Sequence, residues 1–163
     1  MPLVPFDTLP DSARVWVFGS DRALTEEATT ALLKGVEEHL SEWKAHGEPL
    51  TVGYEWRFGR FLLVAVDQRT AGATGCSIDG LFRVLQGLES KVGAKLVGGG
   101  RAFYRDGHGE VQSCERHELK ALAETGAITE NSVVFDTSLT DLGTLRACFE
   151  RPARKSWIAP SFA

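Results

Sequence analysis

The chain has 163 residues, 43% hydrophobic and 25% charged, with a formal net charge of −4. That size fits one compact domain or a small domain with an appended module. The acidic balance, without any run of Lys and Arg, argues against a nucleic-acid partner, and the longest apolar run, Phe61–Val66, is far too short for membrane insertion.

The first residues, MPLVPFDTLPDS, lack the basic start and apolar stretch of a secretory signal. Three prolines, Pro2, Pro5 and Pro10, predict an extended lead-in without regular structure. Arg14–Phe18 is a β-branched and aromatic run and reads as a strand. A helix follows, with Thr25 as N-cap and Glu26 and Glu27 in the first turn. Ala28, Leu32, Leu33, Val36, Leu40 and Trp43 keep helical spacing, Lys44 falls in the last turn, and Gly47 and Pro49 stop the helix.

Leu50, Val52, Tyr54, Trp56 and Phe58 alternate with smaller or polar residues, the pattern of a strand with one wet face. Gly59-Arg60 suits a two-residue type II′ turn. The return strand Phe61–Val66 is apolar throughout, so it should be covered on both faces and lie central to the sheet. After a loop, Ile78, Leu81, Phe82, Leu85, Leu88 and Val92 mark a second amphipathic helix closed by Gly93. The order β-α-β-β-α is that of a ferredoxin-like unit, which one more strand at Lys95–Val97 or Ala102–Arg105 would complete.

Gly98-Gly99-Gly100 divides this core, residues 1–97, from a C-terminal module, residues 101–163. In the module, strands at Ala102–Arg105 and Glu110–Cys114 flank an Asp-Gly-His-Gly turn. A short helix over Arg116–Thr125, a strand at Ser132–Phe135 and a short helix before Pro152 complete it. The expected class is therefore α+β, a β-α-β-β-α core carrying a small β-β-α-β module.

Chemistry concentrates at Ala71–Gly80, AGATGCSIDG. A cysteine at a helix N-terminus sits beside unpaired backbone N–H groups and the positive dipole end, which favour a thiolate or a bound anion. His46, after the first helix, and Asp67, ending the central strand, could reach the same end of the sheet and complete a Cys76–His46–Asp67 set. Gly75, Ser77, Asp79 and Arg83 would then border a small or anionic ligand. The competing reading is structural: Cys76 or Ser77 caps the helix, Asp79 complements its dipole, Arg83 pairs with Asp79, and Cys76 is a buried thiol. Cys76, Cys114 and Cys148 are an odd set without C-x-x-C, as expected of free thiols in the cytoplasm. Cys114 and His117 make C-x-x-H, but no second pair has zinc-like spacing, so no metal or cofactor is assigned. Trp157, near a polar terminus, either docks on the domain or contacts a protein partner.

Together Leu9–Phe18, Trp43–Leu50 (W-x-AHG-x-PL), Ala65–Asp67, Gly75–Asp79 (GCSID) and Trp157 resemble an uncharacterised family of small bacterial proteins often labelled "ABC transporter ATPase". The residues contradict that label, because Cys76 follows Gly75 and Arg101 follows Gly100 where a Walker loop needs Gly-Lys-Ser/Thr. Locally, His117–Asp136 is similar to GYF-like modules, which implies a partner-binding or packing role. Gln112-Ser113-Cys114 stands where the Gly-Pro-Phe of the peptide-binding surface would be.

Overall fold

The computed structural model describes residues 3–69 and 71–163; Pro2, one of the lead-in prolines, lies outside them. The fold is α+β. Strand β1 (Arg14–Gly19) leads into α1 (Glu26–Ser41), a small hairpin β2 (Lys44–Ala45) and β3 (Glu48–Pro49), then β4 (Val52–Arg57), β5 (Phe61–Val66) and α2 (Gly75–Val92). The C-terminal part adds β6 (Arg101–Arg105), β7 (Val111–Glu115), α3 (Leu119–Thr125), β8 (Val133–Phe135), α4 (Leu142–Cys148) and β9 (Glu150–Pro152).

Strands β1, β5 and β4 form one antiparallel sheet in that order, so β1 and β4 run parallel with β5 between them. Counted in chain order, its three strands are arranged 1-3-2. The strand expected to complete a ferredoxin-like order does not join them: Lys95–Val97 has no strand structure, and Arg101–Arg105 joins a second antiparallel sheet, ordered β7-β6-β8-β9. All six residues of β5 are buried, because period-two alternation sends them in turn to two different cores. Leu62, Val64 and Val66 meet α1 and α2, whose inward residues include Leu32, Val36, Leu40, Leu81 and Leu85. Phe61, Leu63 and Ala65 meet the second sheet and α4 through Phe103, Phe135, Leu145 and Phe149. The far side of the second sheet packs on α3 and the C-terminal turns through Tyr104, Ile128, Val134 and Ile158.

Four local expectations are corrected. The lead-in is not wholly irregular: Phe6–Thr8 forms a single 3-10 turn, with Phe6 and Leu9 buried in the core between the sheets. The first helix ends at Ser41 rather than beyond Lys44, and Trp43 carries the chain into the β2–β3 hairpin. His46 and Gly47 form its two-residue turn, both at positive φ (51° and 81°), which are the type I′ signs. The β4–β5 turn likewise begins one residue earlier than expected: Phe58 and Gly59 are at φ 59° and 68°, and Arg60 donates its N–H to the Arg57 carbonyl at 3.1 Å. Finally, Thr74 caps α2, not Cys76 or Ser77. Its hydroxyl accepts the Ser77 N–H at 3.2 Å while Ser77 Oγ accepts the Thr74 N–H at 3.3 Å, a capping box that starts the helix a residue before Cys76.

Candidate functional site

At one end of the helical layer, the end of α1 and the start of α2 part to leave a cleft of about 620 Å³. His39, Trp43, Lys44 and His46 line it from the α1 side, and Gly75, Cys76 and Gly80 from α2. Two contacts fix the walls. The Trp43 indole N–H donates to the Ser77 carbonyl at 2.7 Å, and Ser77 Oγ donates to the Lys44 carbonyl at 2.7 Å. Because Trp43 and Ser77 are both buried, these bonds are shielded from water and tie the hairpin to the helix start. Ser77 lines the cleft, with its hydroxyl engaged by both the capping box and the hairpin.

The β2–β3 turn carries His46 at the end of the hairpin, on the wall of the cleft that Cys76 also lines. Cys76 is exposed, so the alternative of a buried structural thiol does not hold. The backbone N–H groups of Gly75 and Cys76, in the first turn of α2, donate to nothing among the described residues. No family model, curated protein or solved structure matches the chain.

Asp67 does not line the cleft. Its carboxylate is clasped by Arg69, with Nη2 at 2.8 Å and Nε at 3.0 Å, and accepts the Arg69 N–H at 3.0 Å. These hydrogen bonds hold the carboxyl below its ordinary pKa, so Asp67 is committed as an anion to Arg69 and is not joined to His46 or Cys76. Asp79 and Arg83 are both exposed and form no ion pair with each other; Arg83 Nη2 lies 4.0 Å from where a Cβ on Gly80 would stand, beside the cleft.

His39 is the residue the sequence did not single out. Its Nε2 is enclosed and makes no hydrogen bond, its ring lies 6.3 Å from the Trp43 ring, and a Cβ on Gly80 of α2 would stand 3.7 Å from it. Burial pushes its pKa down, against a smaller upward pull from Glu42, so the ring favours the neutral form. The available signal was its position four residues before Trp43, one helical turn away. The other two thiols differ from Cys76. Cys114 is buried on β7, and burial raises its pKa to about 11; Cys148 is half-buried at the end of α4. Trp157 is 43% exposed, with the Arg116 guanidinium 5.7 Å from its ring centre.

Proposed function

We propose that the α1–α2 cleft binds a small acidic molecule and sets the Cys76 thiol beside it, available for nucleophilic chemistry. One observation carries the reading: a single cleft gathers an exposed thiol, two imidazoles, Lys44 and the unpaired first amides of a helix. Helix N-terminal amides and the dipole favour an anion there, and His46 stands on the facing wall as a proton acceptor. Glu42, also on the wall, would turn away multiply charged ligands and favour one acidic group. The resemblance to an uncharacterised family of small bacterial proteins through Trp43–Leu50 and Gly75–Asp79 supports the same two segments.

The test compares alkylation of Cys76 by anionic iodoacetate and neutral iodoacetamide. A cleft that draws anions gives Cys76 an iodoacetate-to-iodoacetamide rate ratio several-fold above that of free N-acetylcysteinamide. Lys44→Gln should lower the ratio. Equal ratios at Cys76 and in the free thiol would sink the acidic-ligand reading.

A second reading of another class, a non-enzymatic adaptor, is favoured by the exposure of Trp157 beside Arg116. An exposed Trp with a neighbouring Arg matches the composition of protein contact surfaces, and the GYF-like pattern of His117–Asp136 points to the same module. Trp157→Ala would then remove a co-purifying partner and leave thermal stability nearly intact; a large stability loss would instead place Trp157 among the core residues.

A further inference from the structure

The outer edge of β1 is paired at both ends and open between them. Along an antiparallel strand the backbone groups of alternate residues point the same way. Ser20 donates its N–H toward β5, to the Arg60 carbonyl at 2.7 Å, whereas Val15 donates outward to the Thr140 carbonyl at 2.9 Å. Val15, Val17, Gly19 and Asp21 therefore share the outer edge. Asp21 closes the far end: its N–H reaches the Lys95 carbonyl at 3.1 Å, and its carboxylate accepts the Lys95 N–H at 2.9 Å. Between these clamps the N–H groups of Val17 and Gly19 donate to nothing among the described residues.

A cavity of about 370 Å³ lies against this opening. Phe18 of β1, Phe82 of α2 and Phe103 of β6 supply its aromatic surface, and Gly98–Gly100 borders it. Gly19 admits the Phe103 ring to the strand, since a Cβ there would stand 2.3 Å from a ring carbon. Arg101 also lines the cavity. Its Nε is enclosed and has no hydrogen-bond partner, its two terminal nitrogens lie near Gly98, and no carboxylate among the described residues pairs with it. An enclosed guanidinium N–H without an acceptor is a rare and costly state, and a carboxylate is the acceptor whose planar fork matches it.

We propose that this opening is a second binding site, distinct from the α1–α2 cleft, for a short extended peptide bearing a free carboxylate. The peptide backbone would pair with Val17 and Gly19 as a brief added strand, at the position a ferredoxin-like fourth strand would take. Its carboxylate meets Arg101, and its apolar side chain enters between Phe82 and Phe103. The clamps at Thr140 and Lys95 set the length. Val15 to Asp21 spans roughly 20 Å at about 3.3 Å per residue, and both ends are occupied, so two or three residues fit and a continuous strand of another protein does not.

The experiment titrates the full-length protein with acetyl-alanyl-leucine, as the free acid and as its carboxamide, following backbone amide chemical shifts. The expected result is saturable movement of the Val17 and Gly19 amides with the acid, with the carboxamide bound about tenfold more weakly for want of the charge-assisted pair. Arg101→Gln should reduce the acid to the affinity of the carboxamide, and Arg101→Lys, which keeps the charge but loses the fork, should fall between. Acid and carboxamide binding alike, or neither moving the β1 amides, would overturn the proposal; the wild-type comparison decides this even if an Arg101 variant fails to fold.

Discussion

The two faces of the β1–β5–β4 sheet are closed in different ways. On one, the second sheet brings Phe103, Phe135 and Phe149 around Phe61, with ring centres 4.9 to 5.1 Å from it. At the rim of that seam Arg60 is buried, its guanidinium donating to the carbonyls of Ser20 and Val111 and to Ser113 Oγ, which joins the end of β1 to β7. On the other face lie two helices, which cover the sheet along their length but part where α1 ends and α2 begins. Within the seam, facing sheets with interdigitated rings leave little space, whereas helix ends leave both space and unsatisfied backbone amides. The sealed face supplies rigidity, and the parted one supplies exposed chemistry.

The sealed face should respond most strongly to Phe61→Ala. Phe61 is fully buried and touches three other rings, so its loss should cost about 3–5 kcal/mol, the cavity term included. The check is the urea midpoint and slope of unfolding. A loss below about 1 kcal/mol would mean that the two sheets do not share a core.

The second prediction concerns the open side. His39 has a pKa pushed below its ordinary 6.5 by burial, so near that pH the unfolded chain binds more protons than the native one. Stability should therefore fall as pH drops through 6.5, and the fall should be smaller in His39→Asn. The effect should stay well under the about 1.4 kcal/mol per pH unit of one full proton, because the ring is only partly buried and screened. Asp67 and Asp141, whose pKa values are held below 3.8, lose their contributions only at much lower pH and do not confuse this window. Urea midpoints at pH 7.5 and 5.5 measure it; an unchanged slope in His39→Asn would show that the enclosed ring is not what titrates.

What could be seen in the sequence divides along similar lines. The α1 cap at Thr25, the inward faces of both helices and the buried run of β5 were legible, because each is a local pattern with a fixed period. The β2–β3 hairpin was not: strands of two residues have no period, and His46 and Phe58 occupy left-handed positions where Asn or Gly would have announced a turn. Cys76 and His46 could be suspected of sharing one end of the sheet because the sequence puts His46 after the first helix and Cys76 at the start of the second. The reverse holds for His39 and Arg101. Their interest is that packing leaves a nitrogen enclosed without a partner, and no spacing along a chain records a missing partner. The absent fourth strand was equally hidden, since Arg101–Arg105 reads as a strand in either sheet.

The smallest predicted effect asks what His46 is kept for. At φ 51° it holds a conformation in which Asn is the favoured residue before Gly in a type I′ turn, and its side chain is exposed. If the hairpin alone set this position, Asn would serve better. His46→Asn should therefore leave stability unchanged or raise it by no more than about 0.5 kcal/mol, as read from the thermal midpoint. The same substitution takes one imidazole out of the cleft, so it should slow alkylation of Cys76 while the fold gains. Such an opposition, local strain held where a wall of the cleft is built, is the mark of a position shaped by what the cleft holds. Loss of stability together with unchanged alkylation would assign His46 to the turn instead, and would leave His39, Lys44 and the α2 amides to carry the site.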